Sequence, residues 1–362
     1  MTAEADVTVA VVRASGPTSP PIHERNHTLM ATMKAAVCAR YGPPDRVTIE
    51  QVPVPTPQDG ELLVRVRATT VNRTDCGYRS AQLWFIRFFS GLRRPKVPIL
   101  GTEFAGDVVG IGEEVTQFQA GDRVMGWCEG TFGAHAEYMT VRVDRPLIMP
   151  IPDGRSYAEA APSTEGSHYA LTMITSTGLK AGDSVLIYGA TGAIGSAAVQ
   201  LAKAWGATVT AVCGTANLDL VKSLGADRVI DYQTDDFTTD PDRYDVVFDA
   251  VGKYSLLKCR HLLKPKGIYL ATDRPMLHKP FMAVPVFTWW LLLVGVTKVF
   301  RGRRQLFAVP QSDPEDLTWL REQILTGGFV PVIDRTYSLD QIVEAYRFVE
   351  SGQKVGNVVI EV

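Results

Sequence analysis

The chain has 362 residues, 46% of them hydrophobic and 21% charged, with a formal net charge of −2. That is length for one large or two ordinary soluble domains with a sizeable core, and the charge gives no reason to expect nucleic acid or an anionic surface as a partner. The five cysteines, Cys38, Cys76, Cys128, Cys213 and Cys259, are odd in number, scattered and without a CxxC pair. This argues against a disulfide framework or a closed structural zinc knot and makes a reducing, cytoplasmic setting the expectation.

In chain order, residues 1–32 read as a disordered extension: RASGPTSPPIHERNHT is Pro-, Ser- and polar-rich without periodicity. The run VTVAVV lacks a basic leader and is too short for the apolar part of a signal peptide, and Met30 and Met33 are both open as starts. A first strand, MKAAVC, is predicted from Met33. ELLVRVRATTVN alternates polar and apolar residues like a half-buried strand, and EFAGDVVGIG and DRVMGW are further short strands. Gly101, Gly106, Gly110 and Gly112 read as turns and bulges in an all-β region rather than as a phosphate cradle, because no helix follows them.

The texture changes after Pro152. SYAEAAPSTEGSHYALTMITSTG reads as helix, and SVLIYG, AIGSAAVQLAKAWG, TVTAVCG, NLDLVKSLGA and RVIDY then alternate strand and helix. YDVVFDAVG is a strand, SLLKCRHLLKPKG a helix and GIYLATD a strand. Near-continuous Val, Ile, Leu and Ala strands alternating with helices mean a parallel sheet covered on both faces. The chain closes with the helix DPEDLTWLREQILTGG, the segment VIDRTYSL, the helix DQIVEAYRFVESG and the strand NVVIEV.

The segment VLIYGATGAIGSAAVQLAK is the most informative. Gly189, Gly192 and Gly195 lie between a buried strand and a helix, with Ala190, Thr191, Ala193 and Ile194 between them. Glycines there permit a tight turn, close approach of backbone to a pyrophosphate and close helix–strand packing, while the helix N-terminus supplies N–H groups and a positive dipole end. An NAD site carries an acid at the end of the next strand; here that strand ends in Cys213 and Gly214. No carboxylate in that position repels a 2′-phosphate, and Thr215, Asn217 and Tyr232 are placed to donate hydrogen bonds to one. The expected cofactor is NADPH in preference to NADH.

A β-rich N-terminal region, a dinucleotide region with this loop and a C-terminal return to the first region resemble the medium-chain dehydrogenase/reductase superfamily, in its zinc-free quinone oxidoreductase and enone reductase branch. The matching pieces are VNRTDCGYRS, LGTEFAGDVVGIGEEVTQFQAGDRVMG, GTFGAHAEY, LIYGATGAIGSAAVQLAKAWGA, LGADRVIDY and YDVVFDAVG. The resemblance implies an α/β fold: a GroES-like β-rich catalytic domain over 33–156 with 312–362, and a Rossmann doubly wound parallel-sheet domain over 157–311. Zinc-dependent members carry Gly-His-Glu where this chain has Gly101-Thr102-Glu103, and Asn72 stands where a ligand cysteine is wanted. Threonine is a poor zinc ligand and one glutamate without a His or Cys partner makes no tetrahedral site, so no metal is expected.

Without a Lewis acid the chemistry shifts toward acceptors whose reduction leaves a delocalised anion. The resemblance therefore implies NADPH-dependent hydride reduction of quinones, enones or alkenals, that is, of small hydrophobic substrates. It also implies site residues. Asn72 and Asp75 match the Asn-x-x-Asp beside nicotinamide and substrate, although Asp75 also fits a turn-capping acid. Tyr78 stands one position after the pocket tyrosine, and His168 occupies a place where relatives often have a Thr near the nicotinamide amide, although a lone helical His is more often packed or solvated. Ala250, Val251, Gly252 and Thr272 should line the cofactor groove, and Asn357 lies near a GKVV pattern without its Lys.

Two segments depart from the pattern. LWFIRFFSGLRR, 83–94, reads as an apolar lid or as an amphipathic helix packed on its domain. PFMAVPVFTWWLLLVGVT, 280–297, nears the length of a membrane span, but Pro285 and Gly295 interrupt it. The resemblance gives that place to subunit contacts of a homodimer or to the pocket wall; peripheral membrane contact through 280–304 stays open beside it. Two other functions also remain open: a metal-free alcohol dehydrogenase using His168 as proton donor, and a nucleotide-binding scaffold or membrane-associated regulator without turnover.

Overall fold

A computed structural model describes residues 31–81, 86–128, 130–145, 147–272, 304–307 and 313–362. The 1–30 segment, residues 83–85 of the aromatic stretch and the apolar 280–297 stretch, with the membrane, subunit and pocket-wall readings attached to it, lie outside the described residues. Among the described residues no helix is long and apolar enough to cross a membrane.

The first half is β-rich. Strands β1 (Thr32–Cys38) and β2 (Val47–Pro53) pair antiparallel. Then come β3 (Glu61–Val71), α1 (Arg73–Ser80), α2 (Ile86–Ser90), β4 (Glu103–Ile111), β5 (Arg123–Trp127), β6 (Tyr138–Arg142) and β7 (Ile148–Pro150). Two further helices follow, α3 (Tyr157–Ala160) and α4 (Glu165–Thr177). The sequence reads this stretch as one helix; Pro162, which has no N–H to continue the ladder, splits it at a 3₁₀ turn over Ala161–Ser163.

The parallel-sheet half follows: β8 (Ser184–Tyr188), α5 (Ala193–Ala204), β9 (Thr208–Cys213), α6 (Leu218–Ser223), β10 (Arg228–Asp231), β11 (Tyr244–Asp249), α7 (Leu256–Cys259), β12 (Leu263–Ala271) and β13 (Arg304–Phe307). The helix expected over Ser255–Gly267 is a correction. It ends after one turn and a 3₁₀ turn, and Leu263 already belongs to β12, paired with Tyr244, because Pro265 and Gly267 break a helix. Arg304, at the end of the basic flank, sits in β13 and pairs with Ile268 of β12. The strands run parallel in the order β10-β9-β8-β11-β12-β13. The direction of winding reverses between β8 and β11, so a crevice opens at their carboxyl ends, where doubly wound sheets bind ligands. Val185, Leu186, Ile187 and Phe248 of these two strands are fully buried, and each contributes roughly 1.5–3 kcal/mol by leaving water.

The chain ends with α8 (Pro314–Thr326), β14 (Ile333–Ser338), α9 (Ile342–Ser351) and β15 (Asn357–Glu361). β15 inserts between β14 and β3, so residues far apart in sequence close one seven-stranded sheet, Val358 opposite Val71. Outside the described strands, Gly192 and Gly356 form a parallel bridge that ties the glycine loop to the start of β15.

Candidate active site

The glycine loop owes its shape to missing side chains. Gly189 has φ +79°, and a Cβ there would stand 2.3 Å from Val251 Cγ2; a Cβ on Gly195 would stand 2.0 Å from Gly189 O. Neither neighbour can retreat without moving backbone or the adjoining strand end. Gly192 caps the twelve-residue α5 without a side-chain cap bond, so the first N–H groups of a helix face outward with its positive dipole end. The arrangement fits a pyrophosphate, for which Gly192, Ala193, Ile194 and Gly195 are the candidates.

The opposite wall is set by Asp249. This buried carboxylate accepts N–H bonds from Val251 (3.1 Å), Gly252 (2.7 Å) and Tyr254 (2.8 Å) and the Tyr269 hydroxyl (2.9 Å). It thereby holds the Ala250–Gly252 turn in which Gly252 takes φ +77°. At the third strand end, Cys213 is buried and its thiol is pushed up to about 11 by burial, so it is a packed residue and not a thiolate. A carboxylate does reach this corner, from the neighbouring strand: Asp231, paired in register with Cys213, accepts the Thr215 hydroxyl and the Gln233 N–H (2.9 Å). Tyr232 is half exposed beside it, and Asn217 closes the 3₁₀ turn after Gly214.

A cavity of about 450 Å³ runs from the glycine loop to α1. Its floor is a connected set of polar groups. Asn72 caps α1 through a reciprocal pair with Asp75: its Oδ1 accepts the Asp75 N–H (2.9 Å), and its own N–H donates to Asp75 Oδ2 (3.2 Å). Asn72 Nδ2 donates to Thr102 Oγ1 (2.5 Å) and to Glu165 Oε2. Glu165 also accepts the hydroxyls of Thr102 (2.7 Å) and Thr74 (2.6 Å). Glu103, behind it, receives the Thr70 hydroxyl (2.8 Å), the Thr164 hydroxyl and N–H, and the Glu165 N–H (2.6 Å). It caps α4 from outside the helix, where Thr164 makes no side-chain cap. Burial pushes the Glu103 carboxyl up, and those four donors pull against it.

The cavity brings together Asn72, Tyr78, Gly192, Ala193, Ile194, Gly195, Ala250, Val251, Thr272 and Asn357 from the expected set, and adds Thr74, Glu165 and Lys354. Tyr78 is half-buried, edge-on to Phe132 with centroids 4.6 Å apart. Gly189, Ala190, Thr191 and Gly252 shape the loops behind the wall. Cys213, Gly214, Thr215, Asn217 and Tyr232 form a separate corner at the ends of β9 and β10. Asp75 is wholly buried below α1, where it also accepts the Gly101 N–H (3.0 Å).

His168 is the main displacement. It packs in the core edge-on to Trp127, centroids 4.8 Å apart, with both ring nitrogens unbonded, and burial pulls its pKa down to about 4. It neither lines the cavity nor carries a proton near neutral pH; Gly166 and Tyr169 of the same helix face the cavity instead. The described part of the 83–94 segment is likewise tied elsewhere, with Arg87 over the Tyr41 ring and the Tyr41 hydroxyl on Ser90 (2.7 Å) and Gly91 O (2.8 Å).

Residues 58–153 match the family profile "Alcohol dehydrogenase GroES-like domain", and 224–360 match "Zinc-binding dehydrogenase". The chain is 32% identical over 345 residues to 2-methylene-furan-3-one reductase of Solanum lycopersicum, covering 92% of this chain and 80% of that one. The chain belongs to the medium-chain dehydrogenase/reductase family. It is also 30% identical to the chloroplastic NADPH-dependent alkenal/one oxidoreductase of Arabidopsis thaliana, over 91% of this chain and 79% of that protein. The solved quinone oxidoreductase of Coxiella burnetii superposes with a TM-score of 0.76 at 26% identity, covering 92% of this chain and all of that one. This member of an oxidoreductase family departs from the zinc-dependent donor set. Among the described residues no three His, Cys, Asp or Glu side chains converge. At Thr102 the donors are a hydroxyl, an amide and one carboxylate already accepting three protein hydrogen bonds, which does not fit zinc.

Proposed function

We propose that this protein is a zinc-independent, NADPH-dependent reductase of quinones or α,β-unsaturated carbonyls. The observation that carries the reading is the meeting, in one cavity, of an uncapped helix N-terminus behind a glycine loop with a polar floor that holds no metal-ligand set. The names of the relatives support it, since they act on an enone, on alkenals and on quinones. NADPH, when bound there, would supply hydride, while this chain's own residues orient and polarise the acceptor and exclude water. Gly192–Gly195 would hold the pyrophosphate, Ala250, Val251 and Thr272 would line the groove at the strand ends, and Thr215, Asn217 and Tyr232 would face the adenosine 2′-phosphate. Asn72, Tyr78 and Glu165 form the substrate side, with Asp75 positioning Asn72.

Because Asn72, Thr74 and Thr102 already donate to one another and to Glu165, they offer little to a strongly basic alkoxide. An acceptor that leaves a delocalised anion asks less of such a floor. His168, neutral and enclosed, cannot serve a ketone reductase as its acid. We carry the homodimer from the resemblance and the cytoplasmic setting from the scattered cysteines; a monomeric mass by light scattering would remove the first.

NADPH oxidation with a panel of quinones, enones, alkenals and saturated ketones tests the function. Turnover of the first three classes is the expected result. Turnover of saturated ketones alone overturns it in favour of an alcohol dehydrogenase, and tight NADPH binding without turnover favours a scaffold.

A further inference from the structure

The floor of the cavity commits nearly all its hydrogen-bond donors internally. Asn72 has both Nδ2 protons on Thr102 and Glu165, and the hydroxyls of Thr74 and Thr102 both donate to Glu165. Lys354, on the opposite rim, is different. Its Nζ donates to Gly356 O at 2.5 Å, and among the described residues the ammonium forms no ion pair. That leaves two N–H protons on a residue that lines the cavity.

The lysine is held in place by backbone. Gly356 has φ +76°, and a Cβ there would stand 2.2 Å from Val332 O. Its N–H donates to Thr191 O of the glycine loop at 2.6 Å, and the Val355 N–H donates to Asp334 at 2.6 Å. The turn that carries Lys354 is thus bonded to the cofactor loop on one side and to β14 on the other. The charged and titratable groups facing the ammonium are Arg73 on α1, Glu165 on α4, Glu103 on β4 and the Cys76 thiol; Asp334 lies behind the turn. Burial and then Arg73 lower the lysine pKa to about 8, against the carboxylates, which raise it. Arg73 itself is exposed, and a guanidinium has no accessible proton to give.

We propose that Lys354 is the proton donor of the reduction, a role that rests on the function proposed above. Hydride addition forms a C–H bond and moves the displaced π pair onto the carbonyl or quinone oxygen. A Lys354 N–H bond then breaks as the O–H bond forms, giving a neutral enol from an enone, or from a quinone a neutral hydroxyenone, each of which reaches its stable tautomer by proton exchange with solvent and no further net proton uptake. Solvent returns a proton to the neutral amine before the next turnover, so an enone consumes one hydride and one proton overall. An ammonium with a pKa near the working pH is matched to both halves of this cycle.

The test compares wild type with Lys354→Met and Lys354→Arg, using one enone and one quinone across pH 6–10, with NADPH affinity measured separately by fluorescence titration. Wild-type kcat is expected to fall as pH rises through about 8. Lys354→Met should lower kcat about 100-fold and remove that limb while the NADPH Kd moves less than about threefold. Lys354→Arg should keep NADPH affinity but not kcat. Independently of turnover, NMR of 13Cε-labelled lysines should show a resonance titrating near pH 8 that disappears in Lys354→Met. Unchanged kcat with the limb retained overturns the proposal. So does a tenfold weaker NADPH Kd with normal kcat, which would make Lys354 a phosphate anchor. If wild type turns over no acceptor, the functional reading fails as well, an outcome distinct from a wild type that works and a Lys354→Met variant that matches it.

Discussion

The glycine loop and the polar floor face each other across one cavity and are built on opposite principles. The loop works through what it lacks: Gly189 and Gly195 leave room that any Cβ would fill, and its donors are backbone N–H groups. The floor works through side chains, with Asn72, Thr74, Thr102 and Glu165 fixing one another by hydrogen bonds. A site of the first kind tolerates no added atom and is indifferent to charge. A site of the second kind keeps its shape under small changes of size but responds to any change of charge.

That contrast can be broken at graded points. The largest effect is expected from Gly195→Ala, whose new Cβ would meet Gly189 O at 2.0 Å. NADPH affinity should fall about 100-fold and stability by about 1–3 kcal/mol, read by fluorescence titration and thermal melts. A variant binding NADPH normally would show that the loop does not hold the cofactor. Next is Glu165→Gln, which keeps shape and removes charge. We expect a roughly tenfold loss of kcat, because a neutral amide cannot accept from all three donors. The alkaline limb should also move to lower pH, since Glu165 is one of the groups raising the Lys354 pKa. A limb that stays put would mean the two groups do not sense each other.

His168→Leu serves as the control outside both regions. Activity should stay within about twofold, and stability should hold or rise by about 1 kcal/mol as two unbonded buried nitrogens leave the core. Wild type should also lose stability as pH falls from 6.5 toward 4. A histidine whose folded pKa is depressed to about 4 stabilises fully above its unfolded value and not below its folded one. His135, likewise buried with a pKa lowered to about 4, adds to that slope, so His168→Leu should flatten it without abolishing it. The smallest effect is expected from Asp231→Asn, which removes the carboxylate beside Thr215; the NADPH-over-NADH preference should rise about threefold. A preference that does not move would place the 2′-phosphate elsewhere.

The two regions also differ in how legible they are in sequence. The loop is contiguous, and its glycines stand at a strand-to-helix junction, where close backbone approach is the main reason to omit three side chains in seven residues. Asn72 was legible through the Asn-x-x-Asp resemblance, a local pattern that the structure turns out to use as a reciprocal helix cap. Glu165 was not: an acid in the first turn of a helix is ordinary, and nothing local says that Thr74 and Thr102 converge on it. Lys354 was hidden for the same reason, as a lysine just past a helix C-terminus normally serves the helix dipole. His168 was misdirected because its position was inferred by correspondence, whereas its orientation follows from how α4 packs beside Trp127. Asp231 escaped because the corner it enters belongs to two adjacent parallel strands, and sequence shows only one strand end at a time.

The placement of β15 between β14 and β3 has a consequence in time as well as space. Val358 must find Val71 across nearly the whole chain, and closing so long an open loop costs about 5 kcal/mol before any strand pairing compensates. A parallel-sheet half that folds first would shorten the search. Its glycine loop offers Thr191 O to Gly356 and so presents a ready docking edge for the strand that begins one residue later. In that order the parallel sheet would be a template for the β-rich half, and the loop that lines the cavity would also guide its closure.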